Sequence, residues 1–369
     1  MHHYQPLMKN RFYSFLLISL LTSPSLLAQN IEELIQKTGQ SLLKNKEFNA
    51  VSIGVYKDER SYTGHFGTLE KGKDLPPTDE TRYEVASVTK TFTGLLTAKA
   101  VLDGKLKLDD DIRKHLDGAY PNLTFEGTPI TVRDLATHTA GLPQSLNPAI
   151  TEAYSKLEAN TPYLIHELEK NYSKEKFLEA LHQLELTEKP GTNYAYSNAG
   201  AELIGYILSS VYNKPLVELL GEFILNKAEM NHTSTKIDNA VASGYWMDNQ
   251  EPSVLSSSLL WSASTGLKST LPDMMNYIAF NLSDNPIVEE SHRLLYEKNT
   301  RWVGYFWNIW KDKHGTSFNH HGGTTGTQNW LYLFPKYNLG ISILVNHSGP
   351  KTTKKLNKAI KAILKELDY

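Results

Sequence analysis

The chain contains no cysteine, which removes disulfides, thiol nucleophiles and thiolate metal sites together. It also lacks a dominant charge of either sign. Lys and Arg number 38 against 40 Asp and Glu, a formal net charge of −2, a balance that does not suggest the concentrated basic face of a nucleic-acid binder. There is no internal repeat and no low-complexity tract. His-Glu-x-x-His is missing, as is a Gly-rich phosphate loop. The Gly-x-Ser-x-Gly elbow is missing too; its nearest approach, Ser262-Ala263-Ser264-Thr265-Gly266, has no first glycine. A resident metal or cofactor is therefore not expected, and neither is the α/β-hydrolase plan.

No uninterrupted apolar run approaches the ~20 residues that span a bilayer. The longest such stretch, 12–21, follows Lys9 and Arg11 and leads to Pro24 and a possible cut after Ala28. That order of charge, apolar run and small residue predicts a secretory signal peptide over 1–28, with Met8 as an alternative start. The expected location is outside the cytoplasm, in the periplasm. A retained N-terminal anchor is the other reading of the same segment.

What remains has an ordinary soluble composition, 40% hydrophobic and 21% charged over 369 residues. Apolar spacing predicts a helix from Ile31 to Lys46, a strand from Ala50 to Tyr56 and its hairpin partner from Ser61 to Thr68. A helical run follows from Val88 to Leu102. Between about 112 and 240 the pattern is helical, with helices expected at 131–137, 161–168, 174–184, 199–211 and 215–225. After a helix at 272–280, strands are expected at 302–310, 327–334 and 340–346. A last helix, 354–367, puts Leu356, Ile360 and Ile363 on one face and lysines opposite. The expected fold is α+β: an antiparallel sheet built from both ends (29–111 and 241–369), flanked by terminal helices, with an inserted all-helical domain (112–240). A cleft between two such lobes is a usual ligand site.

Three segments carry chemistry. Ser87-Val88-Thr89-Lys90 opens the 88–102 helix, which puts hydroxyl and amine on one face. A serine hydroxyl needs a neighbouring base, and a desolvated lysine can be one. Ser-x-x-Lys also occurs at Ser41/Lys44, Ser173/Lys176 and Ser348/Lys351, but only Ser87 follows a strand-like segment and starts a strongly apolar helix. In Tyr196-Ser197-Asn198, extended backbone aims the phenol and the amide the same way. The phenol can relay a proton, and the amide can hold a substrate carbonyl or the lysine. Tyr120/Asn122 repeats that spacing. Third, His320-His321-Gly322-Gly323 precedes a strand, and its glycines allow a substrate close to a sheet edge. Adjacent histidines in a strand point apart, which argues against a shared metal.

Taken in order, these motifs resemble the serine β-lactamase/penicillin-binding superfamily, in the branch holding class C β-lactamases, DD-peptidases and related esterases. Leu106 to Asp110, the segment from Thr131 to Pro143, Ser264 to Leu267, and Asp273-Met274 are similar to it as well. The resemblance implies that Ser87 forms an acyl-enzyme and that Lys90 and Tyr196 shuttle protons. It further implies that Asn198 holds a substrate amide, with His320, Gly322 and Gly323 on the substrate and oxyanion side, the N–H groups of Ser87 and Gly323 forming the oxyanion hole. Class C β-lactamases carry Lys-Thr-Gly where this chain has His320-His321-Gly322, which is closer to the DD-peptidases, D-aminopeptidases and esterases. Asp134 and His138 are read as structural. The expected activity is D-alanyl-D-alanine carboxypeptidase- or endopeptidase-like, with β-lactams acylating the serine. The alternatives are a β-lactamase, an esterase on small acyl esters, or a non-catalytic sensor. The partner is a D-alanyl peptide, a β-lactam or an ester, and no nucleic acid.

Overall fold

A computed structural model describes residues 1, 24–44, 48–255 and 260–369. The charges and apolar run of the expected leader (Lys9, Arg11, 12–21) and the end of the first expected helix at Lys46 lie outside the described residues. The first helix, Pro24–Leu43, runs through the expected cut after Ala28.

Eight strands form one antiparallel sheet. Across it they run Arg60–Gly67, Ala50–Lys57, Leu339–Val345, Gln328–Phe334, Gly315–Gly323, Asn308–Asp312, Arg301–Val303 and Tyr296–Lys298. Period-two alternation sends Val51, Ile53 and Val55, with Ile341, Ile343 and Val345, to one face. There Ile31 and Ile35 of the first helix and Leu356, Ile360 and Ile363 of the last, Thr352–Glu366, cover them. The opposite face takes the helix Leu271–Asn281 at close range. A Cβ on Gly340 would lie 2.1 Å from Ile278, so any larger residue would lift that helix off the sheet.

The helices Val132–Ala136, Pro148–Lys156, Thr161–Glu169, Lys174–His182, Asn198–Tyr212 and Leu216–Leu220 lie between the two sheet-forming ends of the chain. One continuous apolar cluster joins Phe92 and Leu95 of the helix Thr89–Leu102 to Leu203 and Ile207 on one side and Met274 and Tyr277 on the other. The helical block and the sheet thus share a core, with Thr89–Leu102 as its axis.

Two expectations need correcting. The strand expected over 302–310 is two strands, Arg301–Val303 and Asn308–Asp312. The Gly304 N–H bonds the Trp307 carbonyl at 3.0 Å, and Phe306 takes a positive φ of 65°, which closes a tight turn between them. The helix expected over 215–225 is α-helical only at Leu216–Leu220 and then widens into an i→i+5 turn, Gly221–Leu225.

Candidate active site

The strand-like segment ending at Val85 meets the helix Thr89–Leu102 through a tight 3₁₀ turn, Ala86–Val88. Ala86 has φ 47°, left-handed backbone that costs a non-glycine residue energy and fixes the direction of the next side chain. The Gly315–Gly323 strand packs directly on this turn: a Cβ on Gly322 would lie 2.2 Å from the Val85 carbonyl oxygen. Gly322 therefore does not line the cleft as a substrate contact. It lets the strand approach, so that Gly323 reaches the cleft wall beside Ser87.

Ser87 is half-buried at the floor of a cleft of about 400 Å³. Its Oγ accepts from the Tyr196 phenol at 2.7 Å and lies 3.2 Å from Lys90 Nζ. Lys90 is 0% exposed. Its amine donates to Asn198 Oδ1 at 2.7 Å and to the Ser264 carbonyl at 2.9 Å. Burial pulls the Lys90 pKa down to about 7, against the opposing charge of Glu202. A neutral amine has two N–H groups and one lone pair. Asn198 and Ser264 can only accept here, so they hold both N–H groups and leave the lone pair towards Ser87. Burial pushes the Tyr196 phenol above its ordinary pKa, so it stays protonated near neutrality.

The segment after Thr131 acts as a clamp. Asp134 closes a capping box with Thr131 and takes Thr139 Oγ1 at 3.4 Å. The His138 ring instead accepts from the Ser197 N–H at 3.2 Å and lies 4.5 Å from the Tyr196 ring. No hydrogen bond joins Asp134 to His138 among the described residues. The Ala195 N–H bonds the His138 carbonyl at 2.7 Å, and Ser197 Oγ bonds the Pro143 carbonyl at 2.7 Å. Ser197 then caps the helix Asn198–Tyr212. Its extended backbone lets residues 196 and 198 both face Ser87 and Lys90.

His320 and His321 separate as alternation requires. His320 is buried, and its Nδ1 donates to the His321 carbonyl at 2.8 Å. His321 Nε2 lies 3.2 Å from Thr353 Oγ1 and 3.3 Å from Gln328 Oε1. Burial lowers their pKa values to about 3 and about 4, so neither is charged near neutrality.

The rival motifs go elsewhere. Ser173 is an N-cap accepting from the Lys176 N–H at 3.3 Å, and Ser41 and Lys44 lie exposed at the end of the first helix. Ser348 accepts from Gln328 at 3.1 Å. Asn122 bonds the carbonyls of Leu181 and Leu184 at 2.8 and 2.9 Å.

Glu202 was not singled out from the sequence. It is 6% exposed and accepts from the N–H groups of Trp261 at 3.0 Å and Ser264 at 2.9 Å, and from the Ser264 hydroxyl. The carboxylate thereby fixes the turn that offers the Ser264 carbonyl to Lys90. The signal was available: a lone acid four residues after Asn198, inside the apolar run Ala199 to Leu208.

The profile of the family named Beta-lactamase matches residues 27–365. The chain belongs to the beta-lactamase family. Protein flp of Staphylococcus aureus (strain N315) is 27% identical over 354 residues, covering 90% of this chain and 67% of that protein. The chain thus spans about two thirds of the length of this staphylococcal relative. A beta-lactamase of Providencia stuartii is 25% identical over 326 residues, covering 82% of this chain and 77% of that one. In fold, the chain is similar to a beta-lactamase/D-alanine carboxypeptidase from Yersinia pestis, whose crystal structure was determined with citrate. The TM-score is 0.77 at 20% identity, over 93% of this chain and 99% of that one. Family membership makes this protein a serine hydrolase.

Proposed function

We propose that the protein is an exported acyl-transfer hydrolase of D-alanyl peptides, acylated on Ser87, and that β-lactams acylate the same serine. The observation that carries this reading is the Ser87 hydroxyl held between the Tyr196 phenol at 2.7 Å and a Lys90 amine of pKa about 7. Neutral Lys90 takes the Ser87 proton as Oγ bonds to the substrate carbonyl carbon. The developing oxyanion meets the N–H groups of Ser87 and Gly323, where one donor is typically worth about a hundredfold or more in rate. As the C–N bond breaks, Tyr196 donates its proton to the departing amine and regains one from the Lys90 ammonium, which leaves the acyl group on Ser87 with Lys90 neutral and Tyr196 protonated again. Asn198 spends its carbonyl on Lys90, so its NH₂ is free for a substrate carbonyl on the acyl side. A neutral His320 in place of a permanently charged lysine favours the peptidase over the β-lactamase. Export rests on the charge, apolar run and small-residue exit at the N-terminus.

The test incubates the protein with a fluorescent penicillin and follows adduct mass and lifetime, with Ser87→Ala as control. A lasting adduct on Ser87, with release of D-alanine from a D-alanyl-D-alanine peptide, is the expected result. Rapid release of opened lactam would make it a β-lactamase. Cleavage of p-nitrophenyl esters without labelling would make it an esterase, and inertness throughout a binding module. Expression of the full chain should yield secreted protein whose first residue is Gln29.

A further inference from the structure

We infer that Glu84 is the positioning residue of the oxyanion hole: its buried side chain ties the hairpin that carries Gly323 to the strand that leads into Ser87, and so sets the spacing of the two N–H donors. The inference rests on the acyl-transfer reading of Ser87 and adds to it a residue that the motifs do not contain.

An oxyanion hole works only if its donors already point at one spot when the charge develops there. Here the donors come from segments far apart in sequence. Ser87 lies on the 3₁₀ turn that follows the strand Tyr83–Glu84, whereas Gly323 ends the strand Gly315–Gly323. The packing of Gly322 against the Val85 carbonyl limits how near the two segments come. Such a contact has no direction of its own; hydrogen bonds do.

Three side chains of the hairpin converge on Glu84. Thr324, next to Gly323, donates its hydroxyl to Glu84 Oε2 at 2.9 Å. Thr327 Oγ1 donates to the Glu84 backbone carbonyl at 3.0 Å, and Asn329 Nδ2 to the same carbonyl at 3.4 Å. Thr324 Oγ1 also accepts from the N–H groups of Gly326 and Thr327, at 3.1 Å each. One hydroxyl therefore shapes the turn after Gly323 and fastens it to the strand before Ser87.

Burying a carboxylate is costly unless charge and hydrogen bonds compensate it. Glu84 is buried, and its cross-strand neighbour Lys268 is buried with it and brings the opposite charge. Lys268 Nζ also donates to the Gly266 carbonyl at 3.1 Å. An apolar side chain would fill the same space without that cost. What the carboxylate adds is a directional acceptor for Thr324. Neither Glu84 nor Thr327 lines the cleft, so both act on the reaction through the donors they place.

The experiment measures kcat and KM of the full chain on a D-alanyl-D-alanine peptide. Beside them it measures the inhibition constant of a boronic acid with the same acyl group, whose tetrahedral adduct on Ser87 places an oxygen in the hole. Glu84→Ala should lower kcat and weaken the boronic acid by the same factor, about tenfold to hundredfold, less than the loss of a whole donor. KM and the acid limb of the pH profile should not move. Thr327→Val, close to threonine in shape, should act the same way but less, and it carries the test if Glu84→Ala does not fold. Glu84→Gln keeps an acceptor for Thr324 and should recover most of the loss. Wild-type kcat and boronic acid affinity in Thr327→Val and Glu84→Ala would overturn the inference. So would a loss confined to KM, or a displaced acid limb, which would put the effect on Lys90 instead. Penicillin labelling separates the two levels: a labelled, active wild type with unaffected variants sinks Glu84 alone, and no labelling with no peptide turnover sinks both.

Discussion

Ser52 and Ser87 each sit in a hydrogen-bonded relay. Ser52 Oγ lies 2.8 Å from His65 Nδ1, and His65 Nε2 lies 2.9 Å from Asp79 Oδ1. That is the order of a Ser-His-Asp triad. Ser52, however, is 0% exposed in the middle of Ala50–Lys57, with the Tyr83 hydroxyl 2.9 Å from its Oγ. Ser87 is bonded to a lysine and a tyrosine and opens onto a cleft. Distances alone would rank the two alike. What separates them is space for a carbonyl carbon and a base whose pKa lies near neutrality, which suits Ser87 to the proposed attack and leaves Ser52 to the packing.

The largest test of that contrast is the pair Ser87→Ala and Ser52→Ala. The first should abolish penicillin labelling and lower peptide turnover by about a thousandfold or more. The second should leave labelling per folded molecule intact. Acylation that survives in Ser87→Ala and vanishes in Ser52→Ala would invert the comparison.

Lys90→Met comes next. Removing a general base typically costs about a hundredfold to ten-thousandfold, and the loss should be in the acylation rate. In the wild type, the acylation rate should fall on the acid side of about pH 7, where Lys90 becomes an ammonium and has no lone pair for Ser87. Lys90→Met should lack that limb of the pH profile. A wild-type rate that stays flat down to pH 5 would rule out neutral Lys90 as the base.

Ser52→Ala itself has a smaller effect, on stability. It strands the fully buried Tyr83 hydroxyl and His65 Nδ1, a cost of about 1–3 kcal/mol. Urea unfolding should show the loss with an unchanged m-value.

Much of this was legible from residue patterns. Val88 to Leu102 declares its helix by apolar content, and Val51, Ile53 and Val55 declare a strand by alternation. The terminal helix shows its buried stripe at Leu356, Ile360 and Ile363, and those residues do face the sheet. Choosing Ser87 over Ser41, Ser173 and Ser348 needed only the strand before it and the apolar helix after it. The Gly315–Gly323 strand was harder. Its residues are Gly, Thr, Ser, Asn and His around a single Phe318, and its place in the sheet comes from pairing with both neighbours. Glu84 was illegible because its partners Thr324, Thr327 and Asn329 lie near the other end of the chain. An acid at the end of a short strand is ordinarily solvated, and only the tertiary fold buries this one across from Lys268.

Glu202→Gln should have the smallest effect and give the sharpest distinction. The carboxylate does two things to Lys90: it holds the 261–264 turn whose Ser264 carbonyl the amine contacts, and its charge opposes the pull of burial on the amine. Glutamine keeps one acceptor and removes the charge. With the opposing charge gone, the Lys90 pKa moves lower still, so the acid limb of the acylation profile should shift to lower pH. Weaker support for the turn acts differently, lowering the plateau by about tenfold or less, as expected for a disturbed hydrogen-bond network outside the reacting atoms. The two contributions therefore separate in one experiment, since misplacement scales the curve and charge displaces it. A Glu202→Gln profile that is lower but unmoved along the pH axis would reduce Glu202 to a brace for the turn. A displaced profile would make it part of what sets the base in the cleft, which the buried relay at Ser52 has no counterpart for.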